Sequence, residues 1–374
     1  MAARLGLDHA RLDRDQIVPL QFLRGLAASG VVVEHLIERY VRRGAMPAGL
    51  PDFMTNLGQT GVATFFAISG FIMVYISLRG DRPPPTGPAF LRGRYLRIAP
   101  LYYLMTLLIV AFAWATHRVS TDPADRLPSA AEWLLSAAFI PHRGVSGLIQ
   151  PVYALGWTLH YEMFFYLLFA IGLSLFARRG AYLVLGMIGV LVALGTGIDA
   201  PPDTIGLRIL AYVFTRPIMG YFAIGIIIAL LRHRLWRRLP VLPVPVLAMV
   251  LIVALAIATL DLHRATTMAA IATALAATVL PSPERRREGV FSNFSRAFGD
   301  ASYSIYLTHS FLLGAFASLT ASIAARGLPA LALMAMLACA LCFAAGWLTW
   351  RFVELPIAAR IRGRRASEVA LTAP

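Results

Sequence analysis

The chain has 374 residues, 58% of them hydrophobic and 14% charged, with a mean hydropathy of +0.69; a soluble domain carries about 25% charged residues. That balance excludes a disordered chain, a collagen-like repeat and a disulfide-stapled secreted module, and it leaves an all-α polytopic membrane protein. The net charge is +15 and all 34 basic residues are arginine, yet in a membrane protein such charge holds loops in the cytoplasm and needs no nucleic acid.

Residues 1–16 carry Arg4, Asp8, Arg11, Asp13, Arg14 and Asp15. With no apolar run and no small-residue cleavage site, they read as a cytoplasmic N-terminal segment, not a removable signal peptide. Ten apolar segments follow, each near the length of about 20 residues that a spanning helix needs: 17–38, 58–78, 95–116, 153–176, 181–198, 207–231, 241–260, 265–281, 301–324 and 328–352. An even number puts both termini on one side. Twenty-two of the 34 arginines lie in the N-terminal segment, in loops 79–97, 177–180, 232–240 and 282–300, and after Pro356. The positive-inside rule makes that side cytoplasmic. The predicted organisation is about ten transmembrane helices over 17–356 and a basic cytoplasmic tail over 357–374. Clusters such as Arg232, Arg234, Arg237 and Arg238, or Arg285 to Arg287, read as topology determinants against anionic lipid.

Within hydrocarbon an ionisable side chain is costly, so each one inside a span is a candidate functional group. The first span holds Arg24 and His35, eleven positions apart. At about 100° per residue both project from one helix face, about 16 Å apart along the axis. A buried imidazole suits general-base work, and a guanidinium suits an anion or a partner carboxylate. The simpler reading makes His35 a helix-end residue beside Glu34 and Glu38, with Arg24 snorkelling. The second span places Ser69 and Gly70 mid-helix, small enough for a neighbouring helix or a slender ligand to approach. A stiff connector from Asp81 to Pro88 leads to the third span. At its cytoplasmic mouth Arg94 and Arg97 stand one turn apart, placed either to clamp phosphates or to anchor topology.

The outer loop 117–152 contains a short amphipathic stretch around Glu132, suited to the interface or to re-entry. In the fourth span Thr158, Glu162 and Tyr166 follow an i, i+4, i+8 stripe that must face inward. Glu162 there can pair with Arg24, bind hydroxyls, take a proton, or serve as a structural ion pair. Arg216 precedes Pro217 in the sixth span, where a kink is expected. Asp300 or Ser302 is placed to cap the ninth span, on which Tyr306 and His309 share a face. Arg351 and Glu354 close the last span before Pro356, with intrahelical pairing as the plain explanation. Cys339 and Cys342 lie in an apolar run and read as ordinary helix residues, with no metal site.

The order of these pieces is more specific than any one of them. Arg24-x10-His35, Gly61-Val-x-x-Phe-Phe-x-Ile-Ser-Gly-Phe71, Arg94-x-x-Arg97-Ile-x-Pro100-x-Tyr102, Trp157-Thr-Leu-x-Tyr-Glu162-x-Phe-Phe-Tyr166, Ser302-Tyr-Ser-Ile-Tyr-Leu-x-His309 and Glu354-x-Pro356 occur in succession. The chain resembles the acyltransferase-3 family of bacterial inner-membrane O-acyltransferases over about residues 15 to 357, and its Trp157 motif is most similar to the exopolysaccharide-modifying branch. Two positions depart from the family pattern: Ala63 stands where an Asp is frequent, and Met163 follows Glu162 where many members have a second Glu. The role of that Asp is then absent or covered by another residue such as Thr64. The hydrolase-like domain fused to some members has no counterpart, which implies a one-component enzyme or one with a separate extracytoplasmic partner.

The resemblance implies transfer of an acyl group, usually acetyl, from cytoplasmic acyl-CoA to a sugar hydroxyl at or beyond the outer face, in the inner membrane and without a metal. His35 would act as general base, directly or through a transient acetyl-imidazole, with Arg24 and Glu162 in support. Arg94, Arg97, Ser69, Gly70 and Tyr102 would receive the CoA donor, and Trp157, Tyr306, His309 and Glu354 the sugar, whether exopolysaccharide, O-antigen or lipid-linked. A flippase for lipid-linked sugars would also use buried Arg, Glu and His, but the sequence shows no inverted repeat. Within the enzyme class the acceptor is alternatively a small-molecule glycoside.

Overall fold

Each of the ten apolar segments overlaps a helix in the computed structural model, which describes residues 17–45, 56–78, 83–117, 127–144, 146–198, 206–235, 244–260, 263–280 and 290–360. In chain order the α-helices are α1 (Val18–Arg42), α2 (Leu57–Leu78), α3 (Gly87–His117), α4 (Ala130–Ala137), α5 (Trp157–Phe176), α6 (Gly180–Gly195), α7 (Leu207–Phe214), α8 (Gly220–Leu235), α9 (Val244–Thr259), α10 (Arg264–Val279), α11 (Val290–Asp300), α12 (Ser302–Ala324) and α13 (Leu328–Thr349). No strand occurs among the described residues. Six stretches there are long and apolar enough to cross a membrane, or seven when the bent α7–α8 pair counts as one span. The chain is thus an all-α, multi-pass membrane protein. The expected count of ten full-length spans is not matched, because α6, α9 and α10 have 16 residues each and cover about 24 Å against a core of about 30 Å.

Three local features follow from the sequence. Ala154–Gly195 passes the length criterion as one run, yet it doubles back at Ala177, whose φ is +47°. A Cβ on Gly172 would press on the Gly180 carbonyl and on Val184, eight and twelve residues on, so α6 returns along α5. The Arg216–Pro217 step bends its span by 51°. Arg216 is extended, as a residue before proline prefers, and its guanidinium lies 4.8 Å from the Tyr212 ring. The stretch around Glu132 is a short helix closed by a capping box: Ser129 accepts from the Glu132 amide while the Glu132 carboxylate accepts from the Ser129 amide.

Three expectations are corrected. The third helix begins at Gly87, not 95, because Pro88 falls in its first turn, where proline costs no hydrogen bond; Arg94 and Arg97 therefore both lie within the helix. The 282–300 segment contains α11, whose Phe291, Phe294 and Phe298 recur at helical spacing between Ser, Asn and Arg; those polar residues lower its average hydropathy. Neither Asp300 nor Ser302 caps α12. Its N-cap is Ala301, and Ser302 Oγ donates back to the Gly299 carbonyl at 2.7 Å. The expectations for residues 1–16, Asp81, Arg237, Arg238, Arg285 to Arg287 and the tail beyond 360 lie outside the described residues.

The chain divides into two compact units. The first comprises the described parts of Met1–Ile68 and Ile228–Leu348. Its centre is α1, which packs against α11, α12 and α10 and buries Leu23, Ala28, Val31, Val32, Leu36 and Tyr40. Gly61 lets α2 reach α1, since a Cβ there would strike the Ala27 carbonyl. The second comprises Ser69–Ile227 and the described part of Thr349–Pro374. Here α5 is central, packed on α3 and α6, with Phe165 stacked on Phe222 at 4.3 Å between ring centroids.

Candidate active site

In the first unit the two histidines predicted on separate spans meet. Nδ1 of His35 on α1 lies 2.9 Å from Nε2 of His309 on α12, the rings stacked at 5.0 Å and 19°. His309 is fully buried, and its Nδ1 faces the Ile305 carbonyl at 3.2 Å. A carbonyl only accepts, so His309 carries its proton on Nδ1 and presents a lone pair at Nε2. His35 must then donate from Nδ1, which leaves the lone pair of the neutral His35 ring on Nε2. The assignment comes from the hydrogen-bond network, as tautomers generally do. Tyr306, one turn before His309, sets its ring 6.1 Å from the His309 ring and edge-on to Phe65.

The surroundings of the pair are polar and engaged. Arg39, one turn beyond His35, donates to the His35 carbonyl and to Ser310. Glu34 accepts the Gly58 amide at 2.6 Å, capping the α2 N-terminus from a neighbouring helix. Arg24 donates to Gln21 at 2.8 Å, and Gln21 donates to Asp300 at 3.4 Å. Sequence reading named Glu34 only as a neighbour of His35 and missed Arg39 and Gln21; the available signal was their spacing, Arg39 being four residues from His35 and Gln21 three from Arg24.

In the second unit the predicted stripe on α5 faces inward. Glu162 accepts from Ser69 Oγ at 3.1 Å and from the Tyr166 hydroxyl. Arg94 lies over the Phe90 and Tyr166 rings at 5.6 and 6.0 Å. Arg97 is exposed. Thr158 is buried, with its hydroxyl directed to the Leu155 carbonyl. Gly70 is a packing position: a Cβ would strike the Phe222 backbone, so that side has no room for a slender ligand. Tyr102 is buried under α4, its hydroxyl directed to the Ser136 carbonyl at 3.4 Å. Trp157 meets Tyr161 edge-on, and Glu354 is half-buried in a π-helical turn, Trp350–Glu354.

At the positions that depart from the motif, Ala63 is buried in the first unit, and the Thr64 hydroxyl is spent on the Thr60 carbonyl of its own helix. Among the described residues no three His, Cys, Asp or Glu converge as metal ligands. Cys339 and Cys342 are free thiols on α13.

A family model described as an acyltransferase domain matches residues 18–351. The exopolysaccharide production protein ExoZ of Rhizobium meliloti (strain 1021) is 33% identical over 318 residues, covering 83% of this chain and 93% of ExoZ. No solved structure matches the chain.

Proposed function

Because the chain belongs to the acyltransferase-3 family, we propose that it moves an acetyl group from cytoplasmic acetyl-CoA to a hydroxyl of an exopolysaccharide or its lipid-linked sugar precursor, in the bacterial inner membrane. The observation that carries this reading is the relay from the Ile305 carbonyl through His309 to His35. It holds one imidazole in the tautomer a general base requires. The name of the Rhizobium relative supports an exopolysaccharide as acceptor.

In the proposed reaction His35 Nε2 takes the proton of the acceptor hydroxyl as its oxygen attacks the thioester carbonyl. His309 stabilises the resulting imidazolium by accepting from Nδ1, the task a carboxylate performs in hydrolytic triads. The tetrahedral intermediate then expels the CoA thiolate, which recovers the proton from His35. An ester and a free thiol remain. Arg97, with Arg94, is assigned to the donor phosphates, because guanidinium groups recognise phosphate bidentately. Trp157, Tyr306 and Glu354 are assigned to the acceptor, and Arg24 and Glu162 to holding their own helices.

The test uses the purified full-length protein in lipid nanodiscs with radiolabelled acetyl-CoA and isolated exopolysaccharide. Label should enter the polysaccharide, and His35→Ala should lower transfer by about 100-fold or more while the melting temperature is retained. Transfer by His35→Ala at the wild-type rate would overturn the catalytic assignment. A wild-type protein that leaves acetyl-CoA intact would overturn the donor.

A further inference from the structure

A single side-chain contact between two histidines on different helices does not fix those helices, because imidazoles swing on two torsions. Something must set the rotation and axial register that put Nδ1 of one ring on Nε2 of the other. At the level of the histidines, Arg39 reaches both backbones. From α1, one of its terminal nitrogens donates to the carbonyl of His35 at 3.1 Å. The other donates to the carbonyl of Ser310 at 3.1 Å and to the Ser310 hydroxyl at 3.0 Å. Ser310 directly follows His309 on α12.

We propose that Arg39 is a positioning residue whose planar guanidinium fastens the two histidine-bearing turns to each other. This rests on the reading of His35 as the general base. Carbonyl oxygens of helical residues are rigid parts of their helices, so a fork attached to both fixes the helices themselves. The geometry suits Arg alone: a lysine ammonium offers three donors from one point and cannot span two acceptors with planar spacing. Farther along the same seam Arg43 donates to the Gly314 carbonyl at 3.5 Å and the Ser318 hydroxyl at 2.8 Å, but it is exposed. Tyr40 closes the seam by donating to Thr320 at 2.7 Å, since the Thr320 proton goes to the Phe316 carbonyl. The three contacts form a ladder along α1 and α12, and Arg39 is its rung at the histidines.

The experiment compares full-length Arg39→Ala, Arg39→Lys, Ser310→Ala and Arg43→Ala in nanodiscs, reading kcat, the donor KM, the melting temperature and the imidazole nitrogen NMR signals. Arg39→Ala should lower kcat by about 10- to 100-fold, the usual cost of small misplacement, with the donor KM within about twofold. Arg39→Lys should recover part of that loss. Ser310→Ala should cost less than Arg39→Ala, because the carbonyl remains, and Arg43→Ala should stay near wild type. The hydrogen-bonded Nδ1–H signal, assigned by its disappearance in His35→Ala, should be lost in Arg39→Ala.

An Arg39→Ala protein with wild-type kcat and an unchanged Nδ1–H signal would overturn the proposal. So would a loss of kcat shared equally by Arg43→Ala and matched by unfolding. If His35→Ala itself retains wild-type transfer, the functional reading fails on its own, and the imidazole signal still decides whether Arg39 holds the pair.

Discussion

Glu162 is a carboxylate half-buried on α5 that accepts two hydroxyl donors, Ser69 from α2 and Tyr166 from its own helix. A buried acceptor of this kind loses little when one of two donors is removed and much when the acceptor itself goes, because the donors are then left unsatisfied. Tyr166→Phe and Ser69→Ala should therefore each destabilise the protein by about 1 kcal/mol. Glu162→Ala should cost about 3 kcal/mol, since it also strips negative charge from beside Arg94. The double variant Ser69→Ala with Tyr166→Phe should fall short of Glu162→Ala. Thermal unfolding in one detergent measures all four, and Glu162→Ala melting with the wild type would remove the cluster's structural role. The sequence made the members of this cluster visible as an inward polar stripe, and the contact with Ser69 followed only from packing. The same holds for His35 and His309. Each was legible as an ionisable residue on an apolar helix, but their pairing depends on how α1 and α12 rotate. That rotation rests on Arg39 and on tight approaches such as Gly346 against Ile305, which no periodicity encodes.

Among the elements, long apolar helices were legible because hydropathy averages over many residues, and short ones were harder. The eight-residue α4 is held by its ends. Ser129 and Glu132 exchange hydrogen bonds across its first turn, and the Tyr102 and Tyr103 hydroxyls of α3 reach the Ser136 and Ala137 carbonyls at its last. Helix C-terminal carbonyls lack intrahelical partners: the Ser136 carbonyl accepts from the Phe139 amide as well as from Tyr102, and the Ala137 carbonyl accepts from Tyr103. Glu132 is buried although charged, and the capping box explains why: its carboxylate accepts from both the amide and the hydroxyl of Ser129. Ser129→Ala should therefore cost about 1 kcal/mol and speed amide exchange selectively over 130–137. Exchange that stays slow in that variant would mean the tyrosine attachments alone hold α4. The S-x-x-E signature stood in the sequence, but only the amphipathic stretch around it was read.

For the whole molecule, orientation is the property the charges decide. Every loop charge that counts in the positive-inside rule is an arginine, and guanidinium stays protonated under all physiological conditions, so the signal cannot be weakened by a shift in pH. With 22 arginines gathered in one set of segments, the positive-inside rule predicts that both termini lie in the cytoplasm. Gly93 on α3 belongs to that set, and a side chain there has open space around it. Leu148 lies in the opposite loop and is 63% exposed. With Cys339 and Cys342 replaced by alanine, a membrane-impermeant maleimide added to spheroplasts should label Leu148→Cys at once and Gly93→Cys only after permeabilisation. Reversed labelling would invert the orientation and remove cytoplasmic acetyl-CoA as the donor, since Arg97 shares the α3 segment with Gly93. Labelling as expected sets Arg97 on the side of the proposed acetyl-CoA donor and Leu148 on the side of the proposed exopolysaccharide acceptor. In the proposed reaction an enzyme so oriented has to pass an acyl group across the bilayer, and the ionisable side chains inside the spans mark the candidate positions along that path.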